Sequence, residues 1–356
     1  EGIRRYRAML TPAQYRDRLA RGQTADLVPA RTVPDGHRPP VFPVVIRWRQ
    51  DLSPDVMRLE LAAPDDRPLP PFDAGAHIDV VIAPEYQRQY SLAGDPADNS
   101  HYVLGVQREA GGRGGSQLMH RIFREGRRIF ISEPRNHFAL DETAAHSVLV
   151  AGGIGITPML CMARRLKSLG HSFEMLYFAR ERKSAAFLAE LQALGMPLHL
   201  HFDAEAGGPP DLRALLAQRT PEAGLHHYSC GPTPMLDAFE KFCAELGHAN
   251  AHIERFTPVE VKASSDARAN YTVELKKSGR FIEITPDKSL LDTLLDAGVD
   301  VDHSCCEGVC GSCETRVLEG VPDHRDSVLS PKERAGNKVM MVCVSGCKSD
   351  KLVLDI

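Results

Sequence analysis

The chain has 356 residues, 25% of them charged, with a formal net charge of −4 and nine cysteines. That length exceeds one ordinary core and suits roughly two or three domains, and the balanced charge removes any general electrostatic reason to bind nucleic acid. No apolar run approaches the roughly 20 residues of a membrane span and no signal segment is visible, while odd, unevenly placed cysteines are unlike a secreted disulfide scaffold, so a cytoplasmic setting with no membrane partner is expected.

Residues 1–40 read as an N-terminal arm, with a short helix starting at Thr11-Pro12 and a proline-rich link behind it. Over 41–140, apolar or alternating segments at 41–48, 56–61, 77–82, 89–92, 102–106 and 128–131 predict short strands, most economically packed as an antiparallel β-barrel, with one helix at 116–123. After Ala145 the pattern changes. "SVLVAGGIGITPMLCMARRLKSLG" (147–170) reads as a buried strand, a glycine turn and a helix, and the alternation continues through "FEMLYFA", "LHLHF" and "HHYSC". Repeated β/α units predict an α/β parallel sheet over 141–256. Residues 257–270 carry no strong period and read as a linker. The last segment, 271–356, predicts a strand pair, a helix at 289–297 capped from Thr285 to Asp287, and a cysteine loop.

That loop is "HSCCEGVCGSC" (303–313). Cys305, Cys310, Cys313 and Cys343 give C-x4-C-x2-C-x29-C, the plant-type ferredoxin spacing in which four thiolates hold a [2Fe-2S] cluster. The loop supplies three ligands and a later strand the fourth, while Gly308 and Gly311 let the backbone turn closely and present amides to sulfur. Structural zinc is the alternative for four cysteines. Cys306 and Cys347 fall outside the pattern.

With the loop, "DHRDSVLS" (323–330) and "VCVSGCKSDKLVLDI" (342–356), residues 41–356 resemble the phthalate dioxygenase reductase and vanillate demethylase reductase family. The resemblance implies a flavin-binding barrel (41–140), an NAD-binding α/β domain (141–256) and an α+β β-grasp ferredoxin domain (271–356). It also implies that Arg88, Tyr90 and Ser91 of "RQYSL" border the flavin, the arginine holding its phosphate. Gly114, Gly115 and Ser116 can offer amides and a hydroxyl to that phosphate at a helix start, although a flexible loop with a serine cap reads equally from the residues. The family implies FMN; the residues alone leave FAD open.

Gly152, Gly153, Gly155 and Thr157 of "AGGIGITPM" allow a nucleotide near a strand end, or make only a tight turn. Cys230 and Gly231 of "CGPTPM" resemble the family's second nicotinamide segment, in which the cysteine borders both rings without acting as a nucleophile. Arg180 is assigned to the adenosine end and Phe256 of "IERF" to covering the flavin ring. NADH is favoured over NADPH by the resemblance. Because a hydride carries two electrons and the cluster takes one, a flavin between them resolves the mismatch. The implied partner is a separate terminal oxygenase of Rieske type. A haem monooxygenase or a redox carrier is the alternative acceptor, and a non-turnover redox-sensing or assembly subunit the alternative class.

Overall fold

The computed structural model describes residues 41–83, 86–109, 114–258 and 262–356, so the arm over 1–40 and residues 110–113 lie outside the described residues. Contacts divide these into two units, 41–254 and 255–356.

The first unit opens with β1 (Val41–Asp51), β2 (Val56–Ala62), β3 (His77–Ala83), β4 (Tyr86–Ser91), β5 (Tyr102–Gln107) and β6 (Arg128–Ser132). They pair antiparallel in the order β4-β3-β6-β1-β2-β5, and a bridge from Leu92 to Leu104 brings the two edges together. Closure of this kind removes exposed strand edges and makes a near-barrel. Pairing of β2 on β1 begins at Val45, so Pro43, with no N–H for a ladder, sits where β1 has β6 alone beside it. Helix α1 (Gly115–Ile122) buries Leu118, Met119 and Ile122, the helical spacing of one apolar stripe.

The chain continues with β7 (His146–Gly152), β8 (Phe173–Ala179), β9 (Leu198–Phe202), β10 (Leu225–Cys230) and β11 (Asn250–Glu254), all parallel in the order β11-β10-β7-β8-β9. β7 is buried from Ser147 to Gly152, as a strand covered on both faces must be. Helix α2 (Ile156–Leu169) ends at Gly170, whose φ of 70° lets the chain leave the helix and return the His171 N–H to the Leu166 carbonyl at 3.0 Å. Helix α3 (Thr233–Leu246) buries Leu236, Phe239 and Cys243.

Barrel and parallel sheet share one apolar core. A Cβ on Gly105 of β5 would lie 2.7 Å from the Thr157 methyl and 2.8 Å from the Phe187 ring. Glu190 adds ion pairs to Arg58 of β2 at 3.3 Å and to Arg164 of α2. Barrel and parallel sheet are therefore held together as one packed unit.

One core position stores a pH liability. His227 of β10 is fully buried beside His248, ring centroids 4.3 Å apart, and neither of its ring nitrogens has a hydrogen-bond partner among the described residues. Burial, reinforced by His248, lowers it from 6.5 to about 3. An imidazole that resists protonation when folded favours the unfolded chain once pH drops below 6.5, with the loss continuing down to about 3. Between pH 6.5 and 5 this removes about 2 kcal/mol, at about 1.4 kcal/mol per pH unit. His227→Phe should therefore flatten the fall of the unfolding temperature between pH 7 and 5; an unchanged slope would place the acid sensitivity elsewhere.

The second unit holds β12 (Tyr271–Leu275), β13 (Arg280–Ile284), β14 (Glu314–Glu319), β15 (Pro322–Asp323), β16 (Val339–Met341), β17 (Gly346–Cys347) and β18 (Lys351–Leu354). Its main sheet runs β13-β12-β18-β14-β16, with β12 and β18 parallel and the other pairs antiparallel. Helix α4 (Leu290–Asp296) packs Leu290, Leu291 and Leu294 into the same core, the α+β grasp. Its cap differs from expectation: Ser289 accepts the Asp292 N–H at 3.0 Å, while Thr285 spends its hydroxyl on Asp287. Helix α5 (Pro331–Gly336) is closed by a reciprocal Ser330–Glu333 capping box.

Residues 264–270, although without periodicity, are tied to this unit. Ser264 Oγ donates to Asp323 Oδ1 at 2.6 Å, the Arg268 N–H to the Cys347 carbonyl at 2.7 Å, and Lys348 pairs with Asp266 at 3.5 Å. Among the described residues no helix is long and apolar enough to cross a membrane.

Candidate functional site

Three groups of residues gather chemistry. The first is an anion cradle in the barrel. Arg88 on β4 lies over the first turn of α1: a Cβ on Gly115 would come within 3.3 Å of its Nε and 3.4 Å of its Cγ. Gly114, with φ 90°, caps the helix and, having no side chain, makes no side-chain cap bond to its first N–H groups. A guanidinium beside the positive end of a helix is an arrangement that favours a phosphate dianion. Ser116 Oγ accepts the Glu109 N–H at 3.0 Å, so it shapes the loop's return. Burial pushes the Tyr90 phenol up and keeps it neutral.

The second group lies where β7 and β10 end. Gly155 backs onto Cys230 so tightly that a Cβ would fall 2.1 Å from the Cys230 carbonyl oxygen, and one on Gly231 would fall 3.0 Å from Gly152 Cα. The two glycine turns interlock. Gly153, at φ 54°, meets open space instead. Thr157 is buried and donates its hydroxyl to the Ile154 carbonyl at 3.0 Å, bracing the turn. Cys230 is fully buried, and burial followed by the charge of Glu254 raises its thiol far above its ordinary range, which keeps it protonated.

Glu254 went unassigned in the sequence. Strand register sets it opposite Cys230, its Oε2 is 4.0 Å from the sulfur, and it accepts the Ser91 hydroxyl at 3.1 Å across the barrel boundary. Burial pushes this carboxyl to about 8, against the pull of Ser91. Arg180 follows β8 as an exposed side chain, and its carbonyl accepts the Ala204 N–H at 2.9 Å. Phe256 falls in the second unit with a 42% exposed ring.

The third group is the cysteine loop. No disulfide joins any of the nine cysteines among the described residues. The thiols of Cys305 and Cys310, of Cys305 and Cys343, and of Cys313 and Cys343 are within hydrogen-bonding reach of each other. These contacts pull Cys305 and Cys313 down and push Cys310 and Cys343 up. Each thiolate thus holds a proton on its neighbour, and four negative sulfurs can coexist here only around a cationic core.

The backbone suits such a core. The Glu307 N–H points at Cys305 Sγ at 3.3 Å and the Cys305 N–H at Cys310 Sγ at 3.5 Å. Gly308 and Gly311 both take φ 70°, and a Cβ on Gly308 would strike Val344 at 2.7 Å. Cys343 lies in the turn beyond β16 rather than on a strand, because pairing of β16 stops at Met341. Cys306 is exposed, while Cys347 is buried with its thiol donating to the Ser349 carbonyl at 2.9 Å. Donors of sulfur alone, with amides aimed at them, fit an iron–sulfur group.

A family described as a 2Fe-2S iron-sulfur cluster binding domain matches residues 273–348, which decides against zinc for these cysteines. Phenoxybenzoate dioxygenase subunit beta of Ectopseudomonas oleovorans is 48% identical over 302 residues, 85% of this chain and 93% of that protein. Phthalate dioxygenase reductase of Burkholderia cepacia is 38% identical over 315 residues, 87% of this chain and 96% of that protein. Among solved structures, an intact type IV self-sufficient cytochrome P450 monooxygenase matches with a TM-score of 0.83 and 36% identity over 92% of this chain, which spans 43% of that longer one.

Proposed function

Because this chain belongs to the phthalate dioxygenase reductase and vanillate demethylase reductase family, we propose that it is a reductase component carrying electrons from NADH through FMN and a [2Fe-2S] cluster to a separate Rieske-type terminal oxygenase that hydroxylates or demethylates an organic substrate. The observation that carries this reading is the convergence of Cys305, Cys310, Cys313 and Cys343 in a 2Fe-2S domain that follows a phosphate cradle and a paired glycine turn. Bound flavin supplies the conversion of a paired delivery into single-electron steps.

The chain's own residues bind and orient. Arg88, with the amides at Gly114, Gly115 and Ser116, holds the flavin phosphate, and Tyr90 and Ser91 border the ring. Gly152, Gly153, Gly155 and Gly231 leave room for the nicotinamide against the strand ends, with Thr157 bracing the turn. Cys230, held neutral, lets the rings approach without becoming a nucleophile. Glu254 fixes the Ser91 hydroxyl.

Arg180 receives the adenosine end. The other cations of its loop are spoken for, Arg182 by Glu205 at 2.8 Å and Lys183 by Glu181 at 2.6 Å. The preference for NADH over NADPH rests on membership of this family rather than on an acidic residue at a strand end. A cytoplasmic setting, where thiols stay reduced, suits nine cysteines with no disulfide among the described residues. The likeness to a cytochrome P450 chain favours a haem monooxygenase as the second acceptor to try.

Anaerobic mixing with NADH should bleach the flavin, then the cluster band, and an added Rieske oxygenase should reoxidise both. Reducible flavin beside an intact cluster that never accepts electrons would sink the relay.

A further inference from the structure

Behind the cysteine loop lies a carboxylate that the relay above does not use. Asp326 is 1% exposed. Its Oδ2 accepts the N–H groups of Val328 at 3.0 Å and Leu329 at 2.8 Å, closing a tight turn. Its Oδ1 has no hydrogen-bond partner among the described residues; His324 Nδ1 is 3.9 Å away and equally unpartnered. Arg334 of α5 stands 3.8 Å from Oδ2 and donates to the Asp326 carbonyl.

This turn is fastened to the loop. The Ser327 N–H donates to the Gly308 carbonyl at 2.8 Å, and a Cβ on Gly308 would lie 3.1 Å from Asp326 Cα. Gly308 sits between the ligands Cys305 and Cys310. The backbone that wraps the cluster thus rests on the residue that carries the buried charge.

A desolvated anion is expensive to leave half-satisfied, and the amide oxygen of an asparagine could accept the same two N–H groups and close the same turn. What only the carboxylate adds is a fixed negative charge in a low-dielectric position, where charges act over several ångströms with little screening. Adding an electron to a centre beside such a charge is disfavoured, and net charge is among the factors that set iron–sulfur potentials. Arg334 opposes it only in part, because its side chain is 37% exposed and screened by water.

We infer that Asp326 is a positioning residue of the iron–sulfur centre: it seats the loop at Gly308 through its turn, and its buried charge, trimmed by Arg334, holds the reduction potential of the cluster down. The inference rests on the [2Fe-2S] reading. A purified chain without iron and sulfide would refute that reading itself, whatever the variants do.

The test is a redox titration of the holoprotein, following the cluster by its visible and EPR signals. Asp326→Asn keeps an oxygen for the Val328 and Leu329 amides and should retain iron, sulfide and spectrum while the cluster midpoint moves upward and the flavin midpoint stays. Arg334→Gln should move the cluster midpoint downward. A purely structural role would not produce opposite signs. Should Asp326→Asn fail to hold a cluster, Arg334→Gln decides alone, since an unchanged or raised potential in it overturns the inference. So does a parental potential in an iron-replete Asp326→Asn.

Discussion

Cys310→Ser holoprotein should still reduce its flavin with NADH at nearly the parental rate and yet deliver almost nothing onward. Loss of an outer partner of a metal ligand costs about 10–100-fold; loss of the ligand itself should cut electron delivery to the oxygenase by more than about a hundredfold, the upper end of that range. Flavin reduction should survive because the apolar cores are separate: the barrel and parallel sheet close on clusters within residues 44–243, the ferredoxin core on residues 271–354. Serine is close in shape, so the folded second unit can persist with a hard oxygen where a soft sulfur is required. Stopped-flow absorbance resolves the two steps, and circular dichroism verifies that the variant is folded. A folded variant whose flavin also stays oxidised would contradict the proposed order of carriers.

Gly155→Ala should be the most damaging single methyl among the glycines of the paired turn, Gly152, Gly153, Gly155 and Gly231. The added carbon would stand 2.1 Å from the Cys230 carbonyl oxygen and 2.7 Å from the Gly231 nitrogen, all backbone, so no side-chain rotation can make space. The Cys230–Gly231 turn must shift, and a misplacement near 1 Å at reacting groups costs about a hundredfold. NADH-driven flavin reduction should therefore fall by about that factor, while photochemical reduction of the bound flavin, which needs no nicotinamide, stays normal. Gly153→Ala makes the comparison sharp. It meets open space and pays only its left-handed backbone, about 1–2 kcal/mol. Equal losses in the two variants would show that strain, not close approach, governs this site.

What the sequence disclosed followed from how local each signal is. The 2Fe-2S domain was legible because three of its four spaced cysteines sit within nine residues, at a spacing that leaves few alternatives. The parallel sheet announced itself through long apolar runs such as "SVLVAG". Glu254 was hidden for the opposite reason: its partners are Cys230, 24 residues away, and Ser91, 163 away, brought together by strand register alone. Asp326 was hidden inside "DHRDSVLS": both aspartates of the run are buried, and nothing in it marks that Asp323 is satisfied by Ser264 and Arg325 while Asp326 keeps an unpaired oxygen among the described residues. The cap of α4 was misread because Thr285 and Ser289 both suit the role, and only the geometry shows that Thr285 bonds Asp287 instead. Strands as short as β15 and β17, two residues each, carry no period to detect.

The arrangement of Arg88 over Gly115 bears on how the chain is stabilised as well as how it works. Arg88 and the positive end of α1 both favour a dianion placed beside them. A guest that binds there only in the folded barrel adds free energy to the native state, growing with the logarithm of its concentration. The unfolding temperature should then rise with added FMN, so that the cofactor sets how much of the chain stays folded as well as how much is active.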